Sequence, residues 1–131
     1  MIFDKDVAIK EKAMNTFVNT FGGSFKKLDP LDVDYKIFNK DNALIAYAVV
    51  VPVPRMIKDS YPIPVEAKKA VKLIDKRLAP VIIWACENGI IYGKANKIRG
   101  DVKWSKITTN DTSELIIYYD KQKELKYVRY S

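Results

Sequence analysis

The chain has 131 residues, with 23 lysines and arginines against 16 aspartates and glutamates, a net charge of +7. It contains no histidine and one cysteine, Cys86, which excludes imidazole bases, histidine-ligated metals, Ser-His and Cys-His triads, an intramolecular disulfide and cysteine-ligated zinc or iron–sulfur centres. Hydrophobic residues make up 48% of the chain and charged residues 30%, a globular composition whose length suits one domain over residues 1–131.

In chain order, residues 4–21 predict a helix, because Val7, Met14, Phe17, Val18 and Phe21 fall on one side at 100° per residue. Gly22 and Gly23 end it. Residues 28–34, with three aspartates and Pro30, read as a connecting loop, residues 35–38 as a short strand and residues 39–42 as a turn. Residues 43–53 are uncharged and rich in valine, the pattern of a strand buried on both faces. A loop over 55–64 leads to a second helix over 65–79, whose apolar stripe is Ala67, Ala70, Val71, Ile74 and Leu78. Residues 81–85 and 90–95 read as strands about a turn at 87–89, and residues 96–113 carry no clear signal. Residues 114–119 and 124–130 alternate about a turn at 120–123, predicting a C-terminal hairpin. The expected class is α/β: a mixed central sheet flanked by two main helices.

The first residues carry charges where a secretory signal needs an apolar core. The longest uncharged apolar run covers residues 43–54, short of the roughly 20 residues of a membrane-spanning helix. A cytoplasmic protein with no membrane partner is therefore expected. The positive charge favours an anionic partner, either nucleic acid or an acidic protein.

Several phrases in this order resemble the PD-(D/E)XK, or restriction-endonuclease-like, nuclease superfamily, and in particular its small phage-type members. They are Asp34-Tyr35 opening a strand, the buried stretch from Leu44 to Val51, Tyr61-Pro62 leading into a lysine-bearing helix, and the strand pair from Ala79 to Gly93. The resemblance implies a core of helix, three-strand meander, helix and strand. It also implies a Mg²⁺-dependent phosphodiesterase site: an Asp at the start of the second strand, an acid-x-Lys pair on the third, and often a glutamate from the first helix. Asp34 matches the first position and is the one candidate metal ligand, and Glu11 could match the helix glutamate. The acid and lysine positions fall at Val49 and Val51, and no residue from 43 to 54 is charged. The motif that holds the metal and orients the water is absent, so the resemblance implies a degenerate, inactive relative with no cofactor. If activity survived it would need Mg²⁺ and relocated residues, for which Glu66, Lys68 and Lys69 on the second helix are the candidates.

Two groups of residues point to nucleic acid without that resemblance. Lys68, Lys69, Lys72 and Lys76 project within about 100° of one another on the second helix, a stripe suited to sequence-independent phosphate contact. Tyr118, Tyr119, Tyr127 and Tyr130 lie among Lys126 and Arg129, an aromatic–basic interleaving that can stack bases. Three functions follow: a non-catalytic nuclease-like protein that binds nucleic acid through the basic helix, an active nuclease with a relocated site, or a scaffold for an acidic protein.

Overall fold

A computed structural model describes residues 2–29, 32–60, 62–106 and 113–130. The elements are α1 (Ile2–Asn19), β1 (Ser24–Lys27), β2 (Tyr35–Phe38), β3 (Leu44–Pro52), β4 (Ile63–Glu66), α2 (Ala67–Asp75), β5 (Ala79–Ala85), β6 (Gly89–Lys94), β7 (Asp101–Lys106), β8 (Ser113–Tyr119) and β9 (Lys126–Arg129). They form a six-stranded sheet in the order β1-β2-β3-β5-β6-β9 and a three-stranded sheet in the order β4-β8-β7. Every neighbouring pair is antiparallel except β3 and β5. A parallel pair needs a long crossover, and here β4 and α2 supply it.

The uncharged run forms β3 because both its faces are covered. Ala46, Ala48 and Val50 pack with Ala13, Met14, Phe17 and Val18 of α1. Val49 packs on the other side with Ile82 and Trp84 of β5, Ala70 and Leu73 of α2, and Ile63 and Val65 of β4. A sheet with helices on both faces has no use for polar alternation. Trp84 is fully buried, packs edge-on against Tyr119 at 5.4 Å, and donates its indole N–H to the Pro64 carbonyl at 2.7 Å. It therefore ties the large sheet to the small one.

Local signals explain the ends of several elements. After α1 the Gly23 N–H closes on the Val18 carbonyl at 3.0 Å, with Gly22 at φ +76° between them, the left-handed position that glycine takes without strain. A Cβ on Gly23 would stand 2.3 Å from the Phe38 carbonyl. In the turn before β3, the Asn39 side chain accepts from the Asp41 and Ala43 N–H groups, each at 3.0 Å.

Three expectations need correction. The second helix is shorter than residues 65–79: Val65 belongs to β4 and Ala79 opens β5. Its buried residues are Ala70 and Leu73, while Val71, Ile74 and Leu78 are 58%, 48% and 37% exposed. The buried face is thus rotated toward the lysines, and Lys69 and Lys76 lie half-buried along its edges. Finally, β8 and β9 do not form a hairpin: β8 pairs with β4 and β7, and β9 pairs with β6. The segment between them crosses from one sheet to the other, held by buried Leu125 and by Gln122, whose side chain accepts from the Arg99 N–H and donates to the Arg99 carbonyl.

Candidate functional site

Asp34 stands one residue before β2, and the pairing of Tyr35 with Ala48 puts it level with Val49. Its carboxylate accepts from the Val50 N–H at 2.8 Å and lies 3.8 Å from the ammonium of Lys10 on α1. The acid is therefore beside the third strand, where the resemblance requires it. The partners it requires there are not present. Val49 is fully buried in the cluster with Trp84, and Val51 packs against that same cluster. The opposite face of β3 packs Ala46, Ala48 and Val50 against α1, and no residue of the strand is charged. A divalent cation bound at Asp34 would gain no second carboxylate from this strand.

The other acidic candidates are dispersed. Glu11 is exposed on α1. It lies near enough to Tyr35 to act on its phenol, whose pKa is pushed up to about 12 by burial first, then by Asp34 and Glu11. Glu66 ends β4 in the small sheet, 3.6 Å from Lys68, whereas Asp34 precedes β2 in the large one. Among the described residues, no group of three or more carboxylates or thiols is placed to hold a metal ion.

The basic helix is less available than its sequence implies. Lys76 lies 2.6 Å and 2.7 Å from the two carboxylate oxygens of Asp32, with its ammonium 5.3 Å from the centre of the Tyr47 ring. Its hydrogen bond, together with one from the Val33 N–H, holds the Asp32 carboxyl below the usual carboxylate range. Lys68 lies 3.4 Å from Glu114 and 3.6 Å from Glu66, and the Glu114 bond raises its pKa. The charges of Lys68 and Lys76 are thus already opposed by carboxylates, which weakens the helix's attraction for phosphate. The tyrosine group is also divided. Tyr119 is buried, Tyr118 shares a 3.0 Å hydrogen bond with Ser105, and the Tyr130 ring lies 4.2 Å below the Lys12 ammonium. Tyr127 alone of the four is exposed, at 39%.

A further basic concavity is one the sequence did not reveal. A cavity of about 440 Å³ opens between α1, β6 and the approach to β9, with Phe17, Val81 and Tyr92 among the residues that line it. Lys94, Lys97, Lys123 and Lys126 also line it, against one acid, Glu124. Phe17 meets the Tyr92 ring edge-on at 5.0 Å and fixes its orientation. Lys94 ends β6, Lys97 sits in the turn that closes on the Lys94 carbonyl, and β-pairing sets Lys126 directly opposite Tyr92. All four lysines are exposed. Aromatic and apolar surface flanked by exposed lysines is suited to a planar base and its phosphates. Residues 94–97 and 123–126 are far apart in sequence, so only the β6–β9 pairing shows that they share a site.

Cys86 is buried, and burial pushes its thiol up to about 11. Nearby, Arg55 is buried in the loop after β3 and donates from its side chain to the Met56 and Asp59 carbonyls. No described helix is long and apolar enough to cross a membrane. Comparison of the chain with protein-family models, curated proteins and solved structures gave no match.

Proposed function

We propose that this protein is a degenerate, non-catalytic relative of the PD-(D/E)XK nucleases that binds nucleic acid through Lys94, Lys97, Lys123 and Lys126. The observation that carries the reading is the pairing of Asp34, bonded to the backbone of β3, with a β3 that has no charged side chain and whose central residues from Ala46 to Val51 pack into the cores on both faces. The order α1, β1-β2-β3 meander, β4, α2, β5 supports the reading, with β4 inserted between the meander and α2 and paired outside the large sheet. Hydrolysis would need a second metal ligand and a positioned water, and no residue of β3 supplies either. What remains of the chemistry is attraction for the polyanion, which Lys94, Lys97, Lys123 and Lys126 would supply beside the apolar surface of Phe17 and Tyr92.

The test is a gel assay of labelled single-stranded and duplex oligonucleotides with Mg²⁺ or Mn²⁺. The expected result is retarded, uncut nucleic acid. Metal-dependent cleavage that disappears in Asp34→Ala would overturn the non-catalytic reading and favour a site completed by Glu66 and Lys69. Tight capture of an acidic peptide with no capture of either oligonucleotide would favour the scaffold reading instead.

A further inference from the structure

We infer that the protein pairs with a second copy of itself, edge to edge, through β7. The small sheet has the order β4-β8-β7, and among the described residues no strand pairs with the other edge of β7. The face of this sheet that packs on the large one is buried at β4 (Val65, 1% exposed), half-buried at β8 (Ile117), and exposed at β7, where Val102 is 57% and Trp104 70% exposed. Leu115, directly opposite Trp104 on β8, is 38% exposed. The sheet thus overhangs its own core and leaves a tryptophan and two aliphatic side chains in water. Such a patch at a sheet edge marks an interaction surface.

The other terminal strands carry no acid to balance their basic residues or are broken by proline: β1 ends in Lys26-Lys27, β9 carries Lys126 and Arg129, and β4 has Pro64 in its middle. β7 also carries Lys103 and Lys106 but sets Asp101 against them. Residues 100–104 of β7 and its approach read Gly-Asp-Val-Lys-Trp, a segment complementary to itself. In an antiparallel pair centred on Val102, Asp101 faces Lys103 of the second copy, twice by symmetry, and Trp104 lies across Gly100 of the second copy. Opposed residues of an antiparallel pair share a face, and in this register Gly100, Val102 and Trp104 all lie on the apolar face. Centring the pair on Lys103 would oppose two lysines. A two-fold interface requires this kind of self-complementarity. Charge complementarity therefore selects a second copy as the occupant.

The test is sedimentation velocity on the full chain between about 1 and 500 µM, with tryptophan emission recorded on the same samples. Of the two tryptophans, Trp84 is fully buried and Trp104 is not, so a concentration-dependent shift reports Trp104. The wild type should dimerise with a blue shift. Asp101→Lys and Lys103→Asp should each weaken dimerisation by about 10- to 100-fold, since two cross-strand pairs become like-charged. The double variant D101K/K103D should restore it. A monomer throughout that range, or a dimer indifferent to both single variants, would overturn the inference. An emission shift caused by an oligonucleotide on a monomeric protein would also overturn it, by assigning the patch to base stacking.

Discussion

Placing a carboxyl at position 49 should damage the fold instead of creating a site. Val49 is fully buried, at 0% exposure, in the cluster of Ile82, Trp84, Leu73 and Ala70. Val49→Ala removes about two methylene equivalents, roughly 1.6 kcal/mol at about 0.8 each, and the cavity brings the loss to about 2.5 kcal/mol. In Val49→Glu the introduced carboxyl has no counter-charge in that cluster, so it protonates. Holding it neutral at pH 7 against an ordinary value near 4.3 costs about 3.7 kcal/mol, and burying the neutral acid adds about 1–3 kcal/mol. The total of about 5–7 kcal/mol compares with a whole-domain stability of about 5–15 kcal/mol. A carboxyl whose pKa is raised by folding favours the folded state most at low pH. The deficit should therefore shrink by about 1.4 kcal/mol for each unit of acidification between pH 7 and the ordinary value. Urea unfolding of wild type, V49A and V49E at pH 7 and pH 5 measures this. A V49E protein as stable as the wild type at pH 7, with no pH-dependent gap, would refute the reasoning. It would mean that position 49 opens onto a polar site beside Asp34.

Further outcomes follow from particular contacts. Asp34→Ala leaves the Val50 N–H without its acceptor and should destabilise the protein by about 1–3 kcal/mol in the same urea assay, with no change in metal affinity by calorimetry. The Cys86 thiol, buried and pushed up to about 11, should react with a thiol reagent at pH 8 only as fast as the protein opens, and immediately in denaturant. The Asp32 carboxyl is lowered by Lys76 and the Val33 N–H, so its contribution to stability is present above the ordinary value near 3.9 and is lost as pH falls through the lowered one. Asp32→Asn should accordingly flatten the acid limb of the stability profile below about pH 4, measured by urea midpoints, and leave the neutral-to-alkaline profile unchanged in shape.

What the sequence discloses depends on how local its cause is. β2 falls on Tyr35–Phe38 as expected, because a turn built on Asn39 and an alternating four-residue run define it from within. β3 is legible because eleven uncharged residues have few alternatives to burial on both sides. The face of α2 is not, because Val71 and Ile74 satisfy helical periodicity as well as Leu73 does, and only the sheet decides which of them is covered. The supposed hairpin fails for a related reason: alternation shows that residues 113–119 and 126–129 are strands and does not show which strands they join. β4, four residues long with Pro62 just before it and Pro64 within it, does not stand out and supplies the competing partner. Asp34 beside β3 was readable from order and spacing, but its engagement with Lys10 was not. The lysine-lined cavity was hidden altogether, since its halves meet only when Tyr92 pairs with Lys126.

Whether the cavity lysines hold nucleic acid, as proposed, is decided by the salt dependence of binding to a labelled single strand. With three to four phosphates neutralised, log affinity should fall against log salt with a slope of about −2 to −3. Replacing Lys94, Lys97, Lys123 and Lys126 together by Gln should bring the slope close to zero. Replacing Lys68, Lys72 and Lys76 by Gln should change it by less than about one unit, because Lys68 and Lys76 are opposed by Glu66, Glu114 and Asp32. An unchanged slope in the cavity variant, or a slope abolished by the α2 variant instead, would contradict the account.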